Sequence, residues 1–301
     1  MNKEIEGIIR AIADNDTQKA KTYAKIIINA DKTIANKAFC NAMKNKLQTS
    51  SMNLLELPQN VKEFLIMEDV SVSFNENRYF LSEREEEVFE EVKGMYETSL
   101  KLSEMGIQYL NSLMLHGESG TGKTLFGKYI AYKLRLPFAY MNFSNTISSY
   151  LGSTAKNISK AFSFVENQKC VFMLDEVDAI GMSRGDNKDV SEMSRITIAL
   201  MQALDCIRND TIIIGATNRV DMIDKALLRR FTMQHEVKKF KTEEKESMIV
   251  KFLNNVKVSY ELNDIYQYCV NHAECQAYII NDVIRAIASS VRTGNKFKLS
   301  E

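Results

Sequence analysis

Lys123 and Thr124 end the run Gly117-Glu118-Ser119-Gly120-Thr121-Gly122-Lys123-Thr124, which fills every fixed position of G-x-x-x-x-G-K-[ST]. Glycine is needed where backbone N–H groups crowd round a phosphate, lysine reaches the β and γ oxygens, and the hydroxyl holds Mg²⁺. Chance yields the pattern in about one chain of this length in a hundred. The whole stretch from Gly117 to Thr124, with Leu125 following, is therefore the candidate nucleotide-phosphate site.

Two further runs supply what phosphoryl transfer to water requires. Val171-Phe172-Met173-Leu174 is an apolar strand candidate ending in Asp175-Glu176, fifty-two residues after Lys123. One carboxylate can order Mg²⁺ and the next can orient or deprotonate the attacking water, which makes Asp175 the metal-side residue with Thr124, and Glu176 the base. Thr211-Ile212-Ile213-Ile214-Gly215-Ala216-Thr217-Asn218 is a second strand candidate, and its terminal amide can hydrogen-bond that water or the γ-phosphate. Eleven residues after Asn218 stand Arg229 and Arg230; two adjacent arginines at a helix end are ordinarily surface charge.

The elements that must position these groups follow from periodicity. Leu113 to Leu115 suits a buried strand, and Phe126, Ile130 and Leu134 recur on one helical face after Thr124. Strand, loop and helix thus come in the order that aims a helix N-terminus at an anion. Apolar runs at 113–115, 138–143, 171–174, 211–214 and 234–237 alternate with helical stretches, predicting an α/β fold with a parallel sheet flanked by helices over 81–237. After Phe240 the pattern is helical, so 238–301 forms a small all-helical domain.

Upstream, residues 1–50 predict a small helical N-terminal domain, with Ile5, Ile8, Ile9 and Ile12 on one inward face, Ala20, Ala24, Ile27 and Ile28 on a second, and a third helix after Asp31. So small a unit is marginal alone and packs on the body, on its own copies or on a partner. Residues 51–80 read as a linker or β-hairpin with a turn at Asn75-Glu76-Asn77. Ser82 with Glu85 makes a capping box opening a long helix, whose acidic run Glu85-Glu86-Glu87 and Glu90-Glu91 reads as a solvated face.

With 45% apolar and 26% charged residues most of the chain should fold. The 39 basic and 39 acidic side chains cancel, so nothing global calls for nucleic acid or an anionic membrane, although residues 1–50 are mildly basic and 51–100 acidic. Five cysteines without a C-x-x-C pair, no membrane-length apolar run and no signal h-region predict a cytoplasmic location. His235-Glu236 begins like H-E-x-x-H, but Lys239 stands where the second histidine would.

Taken together, residues 81–292 resemble the AAA+ ATPases, and within them the AAA subfamily that includes spastin and katanin. The resemblance rests on the phosphate loop, on Asp175-Glu176, on Asp178-Ala179-Ile180 through Ser183-Arg184 to Ser194-Arg195, and on Thr217-Asn218-Arg219 to Arg229-Arg230-Phe231. It implies a P-loop NTPase core with a helical lid, ATP and Mg²⁺ as ligands, Asn218 as the first sensor, and Arg229 and Arg230 as fingers reaching a neighbour's nucleotide in a hexameric ring. It also implies that Tyr150 and Leu151, within Ser149-Tyr150-Leu151-Gly152-Ser153, form a pore loop gripping extended polypeptide.

Three positions depart from the family pattern. Gln276-Ala277 replaces its Gly-Ala, no Asp and Gly pair precedes the first helix around Phe80-Leu81-Ser82, and Glu118-Ser119 replaces Pro-Pro. The resemblance implies an ATP-hydrolysing ring motor, chaperone-like, that remodels, unfolds or threads protein. Two alternatives stand beside it: a nucleic-acid motor or loader, and a nucleotide-gated adaptor for a partner enzyme such as a protease, bound through residues 1–80.

Overall fold

The computed structural model describes residues 3–13, 17–30, 36, 40, 57–58, 60–149, 153–166, 168–181, 187–207 and 210–299. These fall into two units, 1–53 and 54–301.

In the first unit α1 (Lys3–Ala13) packs on α2 (Thr17–Ala30), and the ring of Tyr23 lies over Gly7 so closely that a methyl there would sit 2.6 Å from it. Ala11 is buried, whereas Ile5 and Ile9 are 44% and 50% exposed, so α1 and α2 by themselves cover the predicted inward face only in part. The third helix expected after Asp31 lies outside the described residues.

In the second unit the strands form because their apolar residues alternate between two helical layers. After β1 (Ile66–Glu68) come the one-turn α3 (Val70–Ser73), the long α4 (Glu83–Glu104), β2 (Asn111–His116) and α5 (Lys123–Leu134). Then β3 (Phe138–Asn142), α6 (Phe143–Ser149), α7 (Thr154–Val165), β4 (Val171–Asp175), α8 (Asn187–Asp205), β5 (Ile212–Thr217), α9 (Lys225–Leu228) and β6 (Met233–Glu236) complete the sheet region. Leu113, Leu115, Ile212 and Ile214 face the layer holding Phe126, Ile130 and Phe89; Met114 and Ile213 face the layer holding Ile158, Phe162 and Leu200.

The strand order is β1-β3-β4-β5-β2-β6, parallel except where β1 runs antiparallel to β3. Central β2 therefore has β5 on one side and β6 on the other, and its C-terminal end is a crevice in which open α/β sheets bind ligands. The parallel sheet flanked by helices matches the sequence expectation. The hairpin considered for 51–80 does not form among the described residues. Instead β1 extends the main sheet, with Met67 opposite Ala139, and Asn75 caps a single 3-10 turn at Glu76–Arg78. Three residues are too few to show a period-two pattern, and their partner β3 lies seventy residues away.

Ser82 and Glu85 form the expected capping box, Ser82 N–H donating to Glu85 Oε2 (3.0 Å) and Glu85 N–H to Ser82 Oγ (3.3 Å). Glu86, Glu87, Glu90 and Glu91 are exposed, but Glu85 is buried, and burial raises its carboxyl pKa.

The helices α10 (Thr242–Val256), α11 (Leu262–Asn271) and α12 (Gln276–Thr293) follow, packed around Ile249, Leu253, Ile265, Tyr268, Ile279 and Val283. The segment before α4 reaches them. Phe80 meets Phe240 edge-to-face at 5.3 Å, and Arg78 Nε donates to Asn255 Oδ1 at 2.7 Å.

Candidate functional site

The loop between β2 and α5 can exist only as glycine at two points. Gly117 has φ 141°, and a Cβ there would lie 2.3 Å from the carbonyl oxygen of Val237, which sits beside β2 because its N–H bonds His116 O at 2.7 Å. Gly120 has φ 80°, and a Cβ there would lie 2.5 Å from Cys275 Sγ; its carbonyl accepts from the N–H of Ala277 at 3.0 Å. One face of the loop is thus closed by the start of α12. Thr121 Oγ1 bonds Glu118 O at 2.9 Å, and Glu118 pairs with Lys239 at 2.8 Å. Gly122 enters α5 with no side-chain cap, which leaves the first helical N–H groups for an anion.

Lys123 is the first residue of α5 and only 7% exposed. Its Nζ donates to Gly117 O (2.9 Å), Glu118 O (2.8 Å) and Asn218 Oδ1 (2.7 Å), three neutral acceptors that spread the ammonium charge. Burial lowers its pKa, while the carboxylates of Asp175 and Asp178 pull in the opposite direction.

Thr124 Oγ1 donates to Asp175 Oδ2 at 3.0 Å across the gap between α5 and the end of β4. The same oxygen accepts from Tyr140 Oη at 3.1 Å, and Asp175 Oδ1 accepts the N–H of Glu176 at 2.9 Å. A hydroxyl and a carboxylate brought together are hard-oxygen donors of the kind Mg²⁺ takes, with its other positions left for water and phosphate. Among the described residues there is no cluster of three or more His, Cys, Asp or Glu that could hold a metal ion.

Glu176 follows with φ 54°, a left-handed conformation that costs a non-glycine residue about 1 kcal/mol. The reversal turns the chain from β4 into the 3-10 turn Val177–Gly181, where buried Asp178 accepts from Thr217 Oγ1 at 2.7 Å. Thr217 Oγ1 in turn accepts the N–H of Arg219 at 2.9 Å. The ends of β4 and β5 are thereby pinned together on either side of Asn218. Sequence reasoning assigned no role to Tyr140, Asp178 or Thr217; each acts through pairing between strands rather than through a contiguous motif.

The two arginines differ. Arg230 Nε and Nη2 grip Asp205 Oδ1 and Oδ2 at 3.1 and 3.2 Å, and Nη1 donates to Ala226 O at 2.9 Å, so its fork is held within its own chain. Arg229 is exposed at the C-cap of α9. Ser119 and Leu125 are exposed at the loop and on the first turn of α5. Tyr150 and Leu151 lie outside the described residues.

A glycine loop at the C-terminal edge of a parallel sheet, a buried lysine on its sensor amide and a hydroxyl–carboxylate pair together define a phosphate-loop nucleoside triphosphatase. Residues 113–239 match the model of the AAA family, the ATPase family associated with various cellular activities, and the chain carries an ATPase domain of that family. It is 26% identical over 219 residues to the AAA family ATPase y4kL of Sinorhizobium fredii, covering 70% of this chain and 66% of that one. It is 32% identical over 180 residues to the peroxisomal ATPase pex6 of Schizosaccharomyces pombe, covering 56% and 19%. With the proteasome-activating nucleotidase of Methanosphaerula palustris the identity is 34% over 163 residues, covering 49% and 40%. The match spans at most about two thirds of these relatives' own lengths.

Proposed function

We propose that the chain is an ATP-hydrolysing motor that assembles into a ring, with a hexamer as the expected form, and remodels, unfolds or threads protein. The observation that carries the hydrolytic part is the convergence of Lys123 with Asn218 and of Thr124 with Asp175, with Glu176 next in the chain.

Each residue has a physical task. The N–H groups from Gly117 to Thr124 wrap the phosphates, and the Lys123 ammonium exchanges its carbonyl partners for phosphate oxygens. Mg²⁺, when bound, would neutralise phosphate charge. Thr124 and Asp175 would hold it, and Tyr140 would orient the carboxylate. Glu176 takes the proton of the attacking water, and the Asn218 amide holds that water or the γ-oxygens in line. Of the two arginines expected as fingers, Arg229 acts on the neighbour's nucleotide, which makes catalysis depend on assembly, while Arg230 stays on Asp205 and braces the turn that presents it. Tyr150 and Leu151 would grip the polypeptide. The likeness to spastin and katanin rests on the motifs around Asn218 and Arg229-Arg230-Phe231.

Glu176→Gln tests the assignment: nucleotide binding persists, and phosphate release falls at least about a hundredfold. Hydrolysis at the wild-type rate would refute it. A second reading, a nucleotide-gated adaptor for a partner enzyme such as a protease, gains from the relative named for activating the proteasome. Tyr150→Ala separates the two, since threading fails in that variant and gating does not.

A further inference from the structure

Ser112 is the second residue of β2 and is 3% exposed. Its hydroxyl donates to the carbonyl oxygen of Arg230 at 2.8 Å and accepts the N–H of Thr232 at 3.0 Å. Thr232 Oγ1 donates in return to the carbonyl oxygen of Ser112 at 2.9 Å. One buried residue thus holds both ends of Arg230-Phe231-Thr232, just before β2 and β6 begin to pair at Leu113 and Met233.

The rest of that segment is fixed as well. Phe231 is buried in the layer that holds Met114, Ile223 and Leu227. The Arg230 fork lies on Asp205, and upstream Asp224 caps α9 through the N–H groups of Ala226 and Leu227. Arg229 stands between these anchors, with its N–H bonded to Lys225 O at 3.1 Å and its side chain exposed. A long cationic side chain in solvent, on a backbone held from both sides, presents its charge outward from a set place. Ser112 itself lies about 16 Å along β2 from Gly117, so it does not touch the phosphate site of its own chain.

We infer that Ser112 is a positioning residue for Arg229: by clamping Arg230 and Thr232 it sets where the guanidinium meets the nucleotide of a neighbouring subunit. This rests on the reading of Arg229 as a finger supplied in trans. Donors act on transition-state charge only where they are aimed in advance, and a misplacement of about 1 Å costs about 10²-fold in rate. Loss of the clamp therefore lowers turnover at the neighbour's site and spares nucleotide binding at the chain's own. Position in the sequence suggests the opposite, because Ser112 belongs to the strand that leads into the phosphate loop.

The test uses the full chain carrying Ser112→Ala, alone and mixed with Glu176→Gln or Arg229→Ala subunits, with ATP affinity and steady-state hydrolysis as readouts. Ser112→Ala should bind ATP as the wild type does and turn it over at least about tenfold more slowly. Its equimolar mixture with Glu176→Gln should hydrolyse severalfold faster than the sum of the two components, because its own intact sites then meet well-placed fingers. Its mixture with Arg229→Ala should only match that sum, both components being defective in the finger. Where Ser112→Ala does not fold, Thr232→Val keeps the side-chain shape, removes the bond to the Ser112 carbonyl and carries the same comparison. Rescue by Arg229→Ala and not by Glu176→Gln would put the defect in the chain's own phosphate site and overturn the inference. Rescue by neither, or turnover at the wild-type rate, would overturn it equally. An Arg229→Ala protein that hydrolyses ATP normally would instead refute the trans reading beneath it.

Discussion

Lys123 donates from Nζ to Asn218 Oδ1 at 2.7 Å, joining the first residue of α5 to the residue just beyond β5. The amide therefore stands within reach of the group that meets phosphate. Asn218→Ala should leave ATP affinity within about threefold and lower turnover by about 10²–10³, the scale for one lost donor at a developing charge. Phosphate release and direct nucleotide binding measure the two effects separately. An unchanged turnover would remove Asn218 from the catalytic set.

Tyr140 and Thr124 share one oxygen of Asp175. Tyr140→Phe removes an orienting hydroxyl without removing bulk, and loss of such a partner costs about 10–100-fold in metal affinity. The Mg²⁺ concentration for half-maximal hydrolysis should rise about tenfold at the low end of that range, with nucleotide binding in chelator unchanged. A Mg²⁺ dependence identical to wild type would limit Tyr140 to packing.

Arg229 and Arg230 should separate under mutation. Arg230→Ala breaks the fork on Asp205 and the bond to Ala226, so it should cost about 1 kcal/mol of stability, a modest amount because Asp205 is 55% exposed. Arg229→Ala should leave thermal stability unchanged and lower turnover by about 10³, as for a finger supplied in trans. Thermal melts together with steady-state hydrolysis distinguish the pair, and the opposite pattern would reverse their roles.

Glu85 gives a pH signature. Burial raises its folded-state pKa above 4.5, so the folded state holds the proton more tightly than the unfolded chain does. Its favourable contribution is complete below 4.5 and is lost as pH rises through the raised folded value. Glu85→Gln retains an acceptor for Ser82 and carries no charge. Relative to wild type the variant should therefore gain stability between pH 4 and pH 7, as read from paired melts. A difference that does not change with pH would show that the carboxyl ionises without penalty.

What could be read from the sequence, and what could not, follows from chain locality. Gly117 to Thr124 and Asp175-Glu176 are contiguous, so residue type and spacing identify them and the strands that precede them. Tyr140 reaches Asp175 only because β3 pairs with β4 in the register that puts Asn142 beside Asp175. The Asp178–Thr217 bond needs the ends of β4 and β5 to be adjacent, and the Arg230–Asp205 fork spans two elements. The departure at Gln276 was visible as a residue; its burial was not. β1 escaped because three residues carry no usable periodicity.

The central claim is that each nucleotide site is built from one subunit's Glu176 and the next subunit's arginine finger. Mixing Glu176→Gln with Arg229→Ala subunits tests it directly. Each variant alone should be nearly inactive, yet a site that takes Glu176 from an Arg229→Ala subunit and Arg229 from a Glu176→Gln neighbour is complete. Hydrolysis should therefore reappear on mixing and vary with the ratio of the two. Mixtures no more active than the sum of their components, or an Arg229→Ala protein that hydrolyses ATP normally alone, would contradict the shared site.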